Sequence, residues 1–248
     1  MRTTPDHTKS SWYHYVLEIV VIILGVLGAF GLNNWNESRL RRGIEQEVLE
    51  QLSADLGRTL HSVEVSSRSR LSTIKRAETL LAHMAGDKPY DDSISYLLAS
   101  SFFWSQLDTD LGGYKTMQSH GVDIIANREL RSDIIHHFER RLAGIKRRQE
   151  ILFNFSDKVK LYEAQDNFEY TFGLDHFVQN GKPVTSFAGT DLRSVPRDYE
   201  QLRRSDEFRY HVRTYMETVK WFEVSAQVFG SQAGVLIEGI DAELVRRF

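Results

Sequence analysis

The chain has 248 residues, 41% of them apolar, and carries 31 basic against 34 acidic residues for a net charge of −3. So even a balance excludes a polyelectrolyte surface for nucleic acid and an acidic tail. The chain contains no cysteine, which excludes thiol nucleophiles, thiolate zinc sites, iron–sulfur clusters and disulfides, and suits an oxidising compartment.

After a short polar tail (1–12), residues Tyr13 to Leu32 form one apolar run, which ends in Asn33-Asn34-Trp35-Asn36-Glu37 and the basic Arg39, Arg41 and Arg42. At about 1.5 Å of rise per residue, some 20 helical residues cover the roughly 30 Å hydrocarbon layer of a bilayer. A cleaved secretory signal is the competing reading. The run exceeds the usual ~7–15-residue apolar core of such signals and lacks an Ala-x-Ala-like site before Asn33, so an uncleaved anchor over 13–35 is expected. Trp12, Tyr13 and Tyr15 at one end and Trp35 at the other place amphipathic rings at headgroup level. Arg2 and Lys9 on one side are matched by the arginines on the other, so charge alone does not orient the span.

Within the run, Glu18, Val21, Gly25, Gly28, Leu32 and Trp35 fall at alternating spacings of three and four, one stripe of a helix. Gly25 pairs with Ala29 as small-xxx-small, which allows close approach of another helix. The stripe therefore reads as a seam for self-association or for a partner helix. A carboxylate within a span suggests a partner or a functional role, but Glu18 lies near the end, within reach of water, and His14 is one turn away.

The remainder, 36–248, is long enough to bury a substantial core. Ile44, Val48, Leu49, Leu52, Leu56, Leu60 and Val63 recur at helical spacing and continue through Leu71, Ile74, Leu81 and Met84, until Gly86-Asp87-Lys88-Pro89 stops the pattern. This is a long amphipathic helix, read as a bundle helix packed on its own domain in preference to a coiled coil. The anchor stripe does not keep phase with it, so Gly43 marks a bend or a change of face, and Gly57 is a second weak point. A second helix is expected over Ile94–Gln106, followed by a turn at Asp108–Gly113. Tyr114 to His120 forms a short helix closed by Gly121. Asn127 caps the next helix, whose face Leu130, Ile134, Phe138, Leu142, Ile145, Leu152 and Phe155 runs to about Tyr162. Its other face carries Arg140, Arg141, Lys146, Arg147 and Arg148, read as a solvated surface. Asp166 to Pro196 is aromatic and turn-rich, an irregular cover or a β-hairpin within 168–187. A last helix starts near Ser205 with Phe208, Val212, Tyr215, Val219, Phe222, Val228, Leu236 and Ile240 as its core face. The fold expected is all-α: one transmembrane helix leading into an antiparallel bundle of long helices, with one small hairpin as the exception.

The Asn33-Asn34-Trp35-Asn36-Glu37 string after the apolar run, with Tyr114-Lys115-Thr116-Met117-Gln118-Ser119, Gly121, Asn127, Leu130 and Arg131, resembles an uncharacterised bacterial family of single-pass membrane proteins. The resemblance covers most of the chain in order, with Leu32 where the family has isoleucine. It implies a membrane-anchored helical protein of the bacterial inner membrane, with its domain on the periplasmic side, and no assigned activity.

No motif of a metalloprotease, serine hydrolase, phosphate-binding loop or dinucleotide fold is present. Asp133, His136 and His137 share a helix at metal-ligand spacing, but no third ligand of matching spacing stands nearby, so these histidines read as surface or capping residues. No cofactor, metal or catalytic residue is expected, and a hydrolase or metal enzyme is the most distant reading. Two others are nearer. One is a membrane-tethered interaction protein, self-associating or an accessory subunit of a larger membrane complex, with the bilayer and other membrane subunits as partners. The other is a sensory or ligand-binding bundle, for which Tyr114, Lys115, Gln118 and His120 are the polar contacts.

Overall fold

The computed structural model describes residues 10–86, 88–102, 105–162, 167–170, 178–179, 182–183 and 193–248. Its first element is a single helix of 76 residues, α1 (Ser10–Ala85), which at 1.5 Å per residue is a rod of about 110 Å. The apolar run and the amphipathic helix after it are thus one element. No proline interrupts the sequence between Pro5 and Pro89, and the helix continues without a break through Gly43 and Gly57, both of which have open space where a side chain would stand. What changes at Gly43 is the surroundings. Every described side chain from Trp12 to Arg42 is exposed, whereas Ile44 is partly buried and Glu45, Val48 and Leu49 are buried. By length and composition the first part of α1 can cross a membrane, and none of its most apolar stretch is covered by the rest of the chain.

Beyond Gly43, α1 buries Val48, Leu49, Leu52, Leu56, Val63, Ile74, Ala77, Leu80 and Met84. The core position expected at Leu71 is taken instead by Arg70, which is wholly buried, while Leu71 is exposed. Then come α2 (Asp92–Ser100), α3 (Gly112–His120), a single 3-10 turn at Val122–Ile124, and α4 (Arg128–Ile135), which passes through one π-helical stretch (His136–Arg141) into α5 (Leu142–Tyr162). Asn127 caps α4 by accepting from the amides of Glu129 and Leu130 at 3.2 and 3.3 Å. Gly121 closes α3 with φ 88°, a left-handed value that favours glycine. Helix α2 ends well before Gln106. Carbonyls at and just past its end are claimed from outside, Ser100 O by the Arg76 guanidinium at 3.0 Å and Phe102 O by the Tyr215 hydroxyl at 3.1 Å. Phe103 and Trp104 lie outside the described residues.

Two small antiparallel pairings interrupt the helices: β1 (Phe168–Tyr170) with β4 (Val195–Pro196), and β2 (Val178–Gln179) with β3 (Lys182–Pro183). The second falls within the stretch read as a hairpin; β1, also within it, pairs instead with Val195–Pro196, and the remaining residues of that stretch lie outside the described residues. Short α6 (Tyr199–Arg204) leads into α7 (Asp206–Arg247), 42 residues capped by Ser205. Helix α7 lies along α1 with opposite polarity: Lys220 meets Glu78 at 3.0 Å, Ser67 meets Glu223 at 2.5 Å, Ser53 meets Asp241 at 2.9 Å, and Arg247 meets Glu45 at 2.7 Å. Its core face is the expected one with one correction. Val228 is exposed, and Ala226, Phe229 and Ala233 carry the contact in its place, because the repeat runs three and four from Phe222 and steps past Val228.

Candidate functional site

On the anchor stripe, Glu18, Val21, Gly25, Gly28, Ala29, Leu32 and Trp35 are all exposed, and nothing lies within 4 Å of the place a side chain would take at Gly25 or Gly28. The Arg39 guanidinium sits 5.9 Å from the Trp35 ring centroid, a cation over an aromatic face at the end of the apolar run. Since α1 is continuous, its phase can be followed. At 3.6 residues per turn the stripe and the side that packs into the core lie more than about 100° apart around the helix. The stripe's line continues upward through Arg39, Gln46, Glu50 and Gly57, none of them buried.

Besides an exposed Arg41–Asp123 pair at 2.8 Å, three clasps built on buried charges tie this helix to the domain. Nearest the apolar run, Glu45 accepts from the Ala126 amide at 2.8 Å and from Arg247 at 2.7 Å, while Glu243 accepts from Asn127 at 2.9 Å and from Arg246 at 2.6 Å. Burial acts to raise the Glu243 pKa, but Arg246 and Asn127 outweigh it and hold this carboxyl below its usual range. Next, the buried Asp55 accepts from the Gly113 amide at 2.6 Å and pairs with Arg58, which also reaches Asp110 at 2.9 Å. Asp55 thereby serves the start of α3, whose own N-cap, Leu111, has no side chain to offer. A Cβ at Gly113 would stand 2.8 Å from the Leu52 amide nitrogen, so only glycine lets α3 come this close to α1. Deepest, Arg70 donates to Glu223 at 2.5 Å and to Ser66 at 2.7 Å, lies over the Phe222 ring at 5.3 Å, and shares Glu223 with Ser67 and Gln227. Burial works against the Glu223 charge, yet these donors hold its pKa below the ordinary carboxylate value.

The group Tyr114, Lys115, Gln118 and His120 does not converge on one cavity. Tyr114 is buried, stacks on Phe138 at 4.6 Å and donates its hydroxyl to Glu139 at 2.8 Å; burial and that carboxylate push its pKa up to about 12. Lys115, Gln118 and His120 are exposed on the same short helix. His136 and His137 also part company. His136 is exposed, whereas His137 is neither a surface nor a capping residue but 1% exposed, stacked on Phe229 at 4.7 Å. Burial, then Arg141 and His136, lower its pKa to about 4, so it is neutral at physiological pH, and its Nδ1 is buried without a hydrogen-bond partner. Among the described residues no three His, Asp or Glu side chains gather at metal-binding range.

Two open clefts mark the surface. One of about 730 Å³ runs between the α2–α3 connection and α5, lined by Gln106, Asp108, Lys146, Glu150, Phe153 and Asn154 among others. Another of about 500 Å³ lies along α4 and the π-helical stretch, with Arg128, Arg131, His136 and Arg140. Neither includes the Tyr114 group. The clasp residues were missed in the sequence, although a signal was there: Glu45, Asp55 and Arg70 occupy positions in phase with the apolar face of α1, where a charge needs a buried partner. Comparison with protein-family models, with curated proteins and with solved structures finds no match.

Proposed function

We propose that the protein is a membrane-anchored helical interaction protein of the bacterial inner membrane, assembling with itself or serving as an accessory subunit of a larger membrane complex. The observation that carries the reading is the phase of α1. One unbroken helix presents its core face to α7 above Gly43 and leaves the Gly25, Gly28 and Ala29 stripe bare on a different side. A partner helix can therefore meet the anchor without displacing the domain, and small residues are what close helix contact in lipid uses. Support for an antiparallel bundle comes from the opposed course of α1 and α7. The Asn33-Asn34-Trp35-Asn36-Glu37 resemblance adds a bacterial inner membrane and a periplasmic domain to the reading. Purification of the tagged full chain from native membranes in mild detergent tests it: a stable oligomer or a stoichiometric membrane partner is expected, and a strictly monomeric species with nothing copurifying overturns it.

The 730 Å³ cleft favours a second reading, a tethered ligand-binding bundle. Its size suits a small solute, and Lys146 and Glu150 on one wall suit a zwitterion. In that case the polar contacts move from the Tyr114 group to this cleft.

A further inference from the structure

The outer face of α7 carries an unused apolar row. Trp221, Val224, Val228 and Val235 are 46–67% exposed, and their spacings of three, four and seven are those of a helix-pairing seam. Beside Val224 and Val228, between α5 and α7, runs a groove of about 320 Å³ flanked by Arg141 and Arg148. The Arg148 guanidinium lies 5.1 Å from the Trp221 ring centroid, and its Nε is buried without an acceptor. A buried donor left without a partner is costly, and here it borders the groove. Among the described residues neither arginine is in an ion pair.

We infer that this groove receives an amphipathic helix of a partner protein, with its apolar side chains on Val224, Val228 and Val235 and its acidic flank on Arg141 and Arg148. The row itself calls for a helix, and the arginines call for carboxylates. With the apolar run in the bilayer and α1 upright, height keeps lipid out of reach. Helix α7 meets Val63 of α1 at Gly230, and Val63 lies 28 residues above Trp35, roughly 40 Å along the rod. A second copy of this groove would bring arginine against arginine. The inference is independent of the anchor seam, since the groove belongs to the other side of the domain core.

The test uses the full chain in neutral phosphatidylcholine nanodiscs and two fluorescein-labelled peptides about three heptads long. Both carry leucine at the seam positions; one is flanked by glutamate and the other by lysine. Saturable binding of the glutamate peptide is expected, weakened by salt, and lowered at least about tenfold by Val228→Glu or by Arg141→Glu with Arg148→Glu. The charge-reversed variant should in turn take up the lysine peptide. Val228 is exposed and the two arginines are half-buried at the groove edge, so circular dichroism checks that the variants fold. Equal binding of both peptides, no binding, or binding indifferent to these substitutions overturns the proposal. So does a peptide-free dimer that Val228→Glu dissociates, which would assign the face to a second copy. Gly25→Leu with Gly28→Leu should leave peptide binding unchanged, which separates this surface from the anchor.

Discussion

Arg70 is the largest wholly buried side chain of the described domain, and its charge is tolerated because each face of the guanidinium is met: Glu223, Ser66 and the Phe222 ring. Removing one member of such a pair strands the other, at a cost of about 3–5 kcal/mol. Arg70→Met should therefore destabilise the domain strongly in thermal or urea unfolding. Arg70→Met combined with Glu223→Met should recover most of the loss, since the apolar pair strands no charge. His137 makes a different prediction, about pH. Its folded pKa of about 4 lies below the ordinary value of 6.5, so between these values the unfolded chain binds the proton that the folded chain refuses. Stability from this residue is full above pH 6.5 and falls as pH drops toward 4, by up to about 3 kcal/mol. Glu223 and Glu243, with lowered pKa values, add losses at lower pH as they protonate. In His137→Phe the fall between pH 6.5 and 4 should flatten, measured as the slope of the unfolding midpoint against pH, whatever the variant's absolute stability. The phase of Arg70 with the apolar face of α1 was a legible sign of burial, but its partner Glu223, 153 residues away, was not. For His137 no such sign exists, since a lone histidine in a helical pattern reads as surface.

At the scale of elements, the helices were legible where local signals decide them and illegible where distant ones do. The caps at Asn127 and Ser205, the left-handed Gly121 and the stop after Ala85 are all written within a few residues of the boundary they set. The early end of α2 is not, because Arg76 and Tyr215 impose it from elsewhere. The π-helical stretch is likewise invisible to a 3.6-residue pattern; within it His137 and Phe138 are both buried. For the anchor, the element-level prediction concerns which side of α1 makes contact. Gly25→Leu with Gly28→Leu fills the bare stripe and should abolish or sharply weaken association of the full chain in mild detergent, read by crosslinking and light scattering. Phe30, on the opposite side of the same helix, supplies the control. Phe30→Ala should leave the oligomer intact, and a reversed pattern would place the contact on the other face.

For the molecule as a whole, the decisive feature is the interval between Trp35 and Ile44. Helix α1 crosses it without a break, yet the domain begins to cover α1 only at Ile44, and the end of α7 reaches no further down than the Glu45–Arg247 pair. The eight exposed residues between Trp35 and Ile44, about 13 Å of rod tied to the domain through the Arg41–Asp123 pair at 2.8 Å, thus hold the domain off the headgroup layer if the apolar run spans the bilayer. An isolated helix of that length is not stable in water alone; it persists because it is continuous with helix at both ends. Its stiffness sets the domain's posture. Gly43→Pro would remove one backbone hydrogen bond and push against the carbonyl of Arg39, at a cost of about 3 kcal/mol, at a position with open space around it. The domain should therefore melt at nearly the wild-type temperature while losing its upright orientation. The absence of cysteine makes this measurable, since Arg68→Cys, on an exposed position of α1, gives a single dye site roughly 50 Å above Trp35 along a straight rod. Energy transfer from that dye to acceptors in the nanodisc lipid should be weak in the otherwise unchanged chain and rise when Gly43→Pro lets the rod fold over. Strong transfer before the proline is introduced would show that the domain already lies on the bilayer, and would remove the upright rod as the basis for a partner binding high on α7.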